Sequence, residues 1–161
     1  MTKSWVYLMS NKDFIFLETY SGLWSCLPDP SGEQIFLPAS VSETELGTAL
    51  IKALDASCVV DPVENPEFYD VMGRVVPQYS SWVGSVMGKY GYKTRRAMFK
   101  DMKNCAVEME GGVIVIKPSH HEKLEAWSGK GLTVEDYVSV SSSVEPSELG
   151  AGVYLALSRC T

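Results

Sequence analysis

Six cations fall within a short stretch of this chain: Lys89, Lys93, Arg95, Arg96, Lys100 and Lys103, with Asp101 the acid among them. Tyr90, Tyr92 and Phe99 are interleaved with them. Such a block can contact phosphates while its rings stack on bases. It can equally be a solvated face, or pair with acids of the same fold. Residues 43–70 supply those acids, with Glu43, Glu45, Asp55, Asp61, Glu64, Glu67 and Asp70 against Lys52.

His120 and His121 precede Glu122 and Glu125. Adjacent side chains on an extended segment point in opposite directions, and no further ligands are nominated elsewhere, so a polar surface turn is expected there and no metal. The cysteines Cys26, Cys58, Cys105 and Cys160 stand singly, without a C-x-x-C pair. That spacing suits reduced, buried thiols in a cytoplasm better than a disulfide framework. There is no Gly-x-Ser-x-Gly elbow and no Gly-Lys-Ser/Thr phosphate loop. With two side-by-side histidines as its imidazoles, the chain is not expected to be an enzyme or to carry a cofactor. Catalysis by paired carboxylates is the enzymatic reading left open.

The elements that must position these groups follow from apolar spacing. Residues 5–9 and 14–20 are apolar runs split by Ser-Asn-Lys-Asp, an opening hairpin. Cys105, Val107 and Met109 alternate with other residues up to Gly111-Gly112, after which Val113-Ile114-Val115-Ile116 reads as a strand buried on both faces. Two segments repeat one another: Ser40-Val41, Glu45-Leu46-Gly47 and Ala53-Leu54 recur as Ser143-Val144, Glu148-Leu149-Gly150 and Ala156-Leu157. Each follows a short apolar strand and carries apolar residues at helical spacing. Ser42 with Glu45 has capping-box spacing, and Pro146 suits a first helical position. Trp82, Val83, Val86, Met87 and Tyr90 fit a short helix weakened by Gly84 and Gly88. For 95–102, helix and strand both remain open. The fold class expected is α+β, a mostly antiparallel sheet with amphipathic helices packed on it, in one domain spanning 1–161 with a strand–loop–helix internal repeat.

The chain has 161 residues, 45% hydrophobic and 21% charged, with a formal charge of −6. A chain of this size buries most of its apolar surface and is not disordered. Its net charge disfavours polyanions and favours neutral or basic partners. The opening Met1-Thr2-Lys3-Ser4 runs into a strand-like segment, and no apolar run is long enough to span a bilayer, so a cytoplasmic protein is expected.

The stretch Gly91-Tyr92-Lys93-Thr94-Arg95-Arg96-Ala97-Met98-Phe99-Lys100, continuing through Met102-Lys103-Asn104-Cys105, resembles the signature of the contact-dependent growth inhibition immunity proteins, the CdiI family. The Gly-Gly hairpin, Lys123-Leu124-Glu125-Ala126-Trp127 and the terminal Glu148-Leu149-Gly150 … Ala156-Leu157-Ser158-Arg159-Cys160 resemble it too. The resemblance implies a cytosolic antidote that binds the C-terminal toxin domain of a CdiA-type effector and blocks it by steric and electrostatic occlusion, without chemistry. A basic nuclease would suit an inhibitor of this charge. The resemblance transfers no contact residues. Charge and residue type nominate Asp61, Glu64, Glu67 and Asp70, with Phe68 and Tyr69 as aromatic anchors, as the toxin-binding segment. The alternative is a small nucleic-acid-binding protein using the basic block from 89 to 103.

Overall fold

A computed structural model describes residues 2–161. The opening hairpin pairs β1 (Ser4–Ser10) with β2 (Phe14–Gly22). Asn11 closes its turn, Oδ1 accepting from the Asp13 and Phe14 backbone N–H groups. Two short strands then share the outer edge of β2. β3 (Cys26–Pro28) pairs with its last residues and β4 (Gln34–Pro38) with its first. Helix α1 (Glu43–Asp55) follows, capped as expected by Ser42 Oγ on the Glu45 N–H. A loop and one turn each of 3-10 helix (Pro66–Tyr69) and π helix (Val71–Val75) lead into α2 (Val76–Tyr90) and the short α3 (Arg95–Phe99). The second half supplies β5 (Lys103–Glu110), β6 (Val113–Lys117), the pair β7 (His120–Lys123) and β8 (Ala126–Ser128), then β9 (Val138–Ser141) and α4 (Pro146–Ser158).

The antiparallel sheet runs β3-β2-β1-β5-β6-β9, with β4 beside β3 on the β2 edge. The repeat legible in the two helices extends through this sheet. An offset of 99 residues carries Ser4, the start of β1, onto Lys103, the start of β5, and Phe14 onto Val113, the start of β6. The registers agree: Leu8 faces Leu17 as Val107 faces Ile116, and Met9 faces Phe16 as Glu108 faces Val115. An offset of 103 carries Phe36, opposite Phe16, onto Ser139, opposite Val115, and Gly47 onto Gly150. Each half is therefore a hairpin, an insert, an edge strand and a helix. A pseudo-two-fold axis passes through the central β1–β5 pairing at Tyr7 and Ala106.

One face of the sheet is covered completely. Val6, Leu8, Ile15, Leu17, Cys105, Val107, Ile114 and Ile116 project from it onto Leu46, Leu50, Leu54, Leu149, Val153 and Leu157 of α1 and α4. The helices cross with almost no side chain between them. A methyl group on Gly47 would collide with the Pro146 carbonyl oxygen, and one on Gly150 with that of Glu43, positions equivalent under the repeat. Thr19 Oγ1 donates to the Ala53 carbonyl at 2.7 Å, tying the end of α1 to β2.

The other face is covered over only part of its width, by α2 and α3. Phe14, Phe16, Val83, Val86, Met98, Phe99 and Met102 form a second core there, with Phe36, Tyr90 and Trp127 at its margin. This asymmetry corrects one expectation. β6 is not buried on both faces: Ile114 and Ile116 are buried, but Val113 is exposed and Val115 half-buried, because no helix lies over them. Gly111 and Gly112, at φ 59 and 77, make the turn before it. The segment from His120 is also a strand rather than a turn, since His121 stacks on Trp127 across β7–β8, ring centroids 4.9 Å apart. Cys58 is exposed rather than buried. α2 is longer than the apolar spacing indicated, running from Val76, with Pro77 in its first turn, to Tyr90, with the left-handed Gly91 as its cap.

Gly47→Ala or Gly150→Ala is expected to destabilise the protein by about 2 kcal/mol or more, since the obstructing atoms are backbone. Gly84→Ala, on α2 with nothing near the new methyl group, is expected to stabilise it by about 0.5–1 kcal/mol. Urea unfolding of the three variants measures both signs.

Candidate functional site

The partly covered face holds a cleft of about 400 Å³ where α2 lifts away from the sheet. Met9, Phe16, Glu18 and Tyr20 form the sheet side, Leu27 and Pro28 one end, and Val75, Val76, Gln78, Tyr79 and Trp82 the helix side. Residues alternate along a strand, so Glu18 and Tyr20 project on the same side as Phe14 and Phe16. The buried aromatic row thus ends in a carboxylate and a phenol. Tyr7 faces Glu18 across β1–β2, and its ring lies 4.2 Å from that of Tyr20.

Three carboxylates stand on this face. Glu108 pairs with Lys117 at 3.0 Å and Glu110 with Lys3 at 3.7 Å. Glu18 has neither a hydrogen bond nor an ion pair among the described residues. Burial pushes its acid up to about 7, and the charge of Arg74 opposes this only in part. The reason lies in what Arg74 touches. Its Nε and Nη2 donate to the Phe68 carbonyl at 2.8 and 2.6 Å, and Nη1 donates to the Pro28 carbonyl and to Gln78 Oε1. Its guanidinium also lies 4.3 Å from the centroid of the Phe68 ring. The cation closest in effect is thus spent on neutral acceptors that fasten the 66–70 segment to the end of β3. Burial likewise raises the phenols of Tyr20 and Tyr79. Trp82 Nε1 is buried without an acceptor.

The acidic segment beside the cleft divides into two kinds of residue. Asp61 accepts from the Val63 and Glu64 N–H groups, Asp70 caps the π-helical turn through the Gly73 N–H, and Tyr69 donates to the Val60 carbonyl. Phe68 lies under Arg74. These four hold the loop's shape. Glu64 and Glu67 are exposed and form no such bonds among the described residues. Alongside them Val63 and Met72 are 86% and 75% exposed, and Val71 and Val76 are also exposed. Val63, Val71, Met72 and Val76 thus expose apolar area along the segment that leads to the cleft wall at Val75 and Val76, with the acids Glu64 and Glu67 among them, an acid-rimmed apolar patch in the chain.

The basic block is partly consumed inside the fold. Arg95 Nε and Nη2 clasp Glu125 at 2.9 and 2.6 Å, and Tyr79 donates to the same carboxylate at 2.7 Å. The Arg95 hydrogen bond is the chief cause that holds the Glu125 acid low. Lys89 sits over the Phe36 ring at 4.2 Å. The histidines are also engaged, His120 Nδ1 with Thr161 Oγ1 and His121 Nε2 with the Leu124 carbonyl, both at 2.9 Å.

Glu18 was not among the residues nominated from the sequence. Its signal was present: a charged residue at the next alternate position after Phe14 and Phe16, on an apolar side of a strand. Because burial favours its protonated form, the folded state holds that proton more tightly than the unfolded chain does. Its contribution is therefore most favourable below about 4.5, its ordinary value, and is lost as the pH rises through about 7. Glu18→Gln is expected to stabilise the free protein at pH 8 by on the order of 2–3 kcal/mol, with little change at pH 4.5. Urea unfolding at the two pH values checks this.

The chain matches the family model described as CDI immunity protein over residues 4–160. It is 43% identical to the immunity protein CdiI-YPIII of Yersinia pseudotuberculosis serotype O:3 (strain YPIII), over 169 aligned positions covering 98% of this chain and 95% of that one. Its structure superposes with a TM-score of 0.92 on a chain of a CdiA-CT/CdiI toxin and immunity complex from Yersinia pseudotuberculosis, at 39% identity and covering 100% and 99% of the two chains. A protein of unknown function from Neisseria meningitidis superposes with a TM-score of 0.90 at 34% identity, covering 99% and 96%. With the family pattern running through both halves of the duplicated sheet and the segment inserted between them, this chain belongs to the CDI immunity protein family.

Proposed function

We propose that this protein confers immunity by binding the C-terminal toxin domain of its cognate CdiA-type effector as a heterodimer and covering the toxin's working surface, without chemistry of its own. The observation that carries this reading is the likeness to a chain of the Yersinia toxin and immunity complex, which extends over the whole fold at 39% identity. A charge of −6 suits a basic target, and a nuclease gripping phosphates is such a target. Carboxylates at a binding rim speed encounter and supply charge-assisted hydrogen bonds. The cytoplasm is the compartment proposed, and among the described residues no helix is long and apolar enough to cross a membrane.

The surface proposed for the toxin is the acid-rimmed apolar patch. Glu64 and Glu67 supply charge, Val63 and Met72 supply apolar area, and Asp61, Phe68, Tyr69 and Asp70 hold the segment in place. The nucleic-acid alternative is weakened by Arg95, whose guanidinium is committed to Glu125. An Arg95 variant would lose binding through the fold as readily as through a lost phosphate contact.

Co-expression of this protein with its cognate toxin domain is expected to restore growth, and the purified pair is expected to associate at sub-micromolar concentration. Unabated toxicity together with no association at micromolar concentration would refute the reading. Charge reversal at Glu64 and Glu67 together is expected to slow association about tenfold at low salt, and less at high salt. Unchanged association kinetics for that variant would remove the acidic segment from the interface.

A further inference from the structure

We propose that the cleft between α2 and the sheet receives one cationic side chain of the toxin domain, a lysine or an arginine, with its charge against Glu18 and its stem against the rings of Tyr20, Tyr79 and Trp82. The proposal rests on the immunity reading above and names a contact within it. Its ground is a mismatch in the free protein. A carboxylate stands at the end of a buried aromatic row without a hydrogen bond or an ion pair, while the two other carboxylates on that face each have a lysine. Arg74 is prevented from closing the gap by its bonds to Phe68, Pro28 and Gln78. A carboxylate so placed is satisfied by an incoming cation.

The walls fit the same occupant. Aromatic faces attract a cation as well as an apolar stem, and they do so more strongly where water is excluded. The cleft volume of about 400 Å³ lies at the small end of ligand pockets. It admits a long side chain with the backbone on either side of it. Trp82 Nε1, buried without an acceptor, is a donor that a carbonyl oxygen of that backbone would satisfy. A free lysine or arginine shares this chemistry, but the cleft opens beside Val75, Val76 and the acid-rimmed patch. An occupant delivered by a protein surface therefore meets both features at once.

The ionised form of Glu18 is disfavoured in the free protein, so its retention is a cost to stability that a bound cation offsets. This gives the test opposed readouts. Glu18→Gln is expected to leave the free protein folded and more stable at pH 8, yet to weaken its complex with the cognate toxin domain at least tenfold by calorimetric titration. Val76→Arg, which sets a cation of this chain at the cleft mouth, is expected to weaken the complex as well. A complex that forms with the unaltered chain and keeps its affinity in both variants overturns this proposal and leaves the immunity reading standing. No complex with the unaltered chain overturns both. Sub-millimolar, Glu18-dependent binding of Nα-acetyl-lysine amide to the protein alone would assign the cleft to a free small cation and overturn the occupant proposed.

Discussion

Two helices can share one face of this sheet only if they approach more closely than ordinary side chains permit. Gly47 and Gly150 make that approach possible, each meeting a backbone carbonyl at the start of the opposite helix. With α1 and α4 so joined, apolar side chains of five strands on that face close into a single core. The opposite face is then free to build a second, smaller core with the segment inserted between the halves. The cleft lies on that free face, beside the segment proposed for the toxin.

The duplication explains why only part of the free face is covered. The first half carries a long segment between its helix and the next hairpin, and that segment folds back as α2 and α3 over Phe14, Phe16 and Phe36. The equivalent strands of the second half have Val115 and Ser139 in the places of Phe16 and Phe36, and no helix lies over them. The cleft forms at the boundary, where α2 no longer reaches the sheet and Glu18 succeeds the aromatic row. A buried acid in such a place is poorly explained as a device for stability, because its ionised form opposes folding.

Much of this was legible in the sequence, for identifiable reasons. The two Glu-Leu-Gly helices announced themselves because the close crossing demands the same glycine in both. The hairpins were legible from alternation and from Gly111-Gly112. Their mutual equivalence was hidden, since Val6 and Leu8 correspond to Cys105 and Val107, residues alike in burial and unlike in identity. The start of α2 was obscured by Pro77, which serves at a helix N-terminus, and by exposed glycines that no packing requires. Glu18 escaped notice because the run FIFLETY reads as one apolar strand until its two sides are separated. The acidic segment was found by charge, but its division into shape-holding and free carboxylates depends on hydrogen bonds that no spacing records.

The insertion has a different standing from the scaffold that carries it. It enters and leaves the fold between α1 and β5, and the core it makes with the sheet is separate from the one that holds α1 and α4. A lineage can therefore recast its outward residues while the duplicated frame folds as before, provided the side laid on the three phenylalanines stays oily. The proposed recognition surface and the architecture occupy separable stretches of one chain, and each can drift at its own pace.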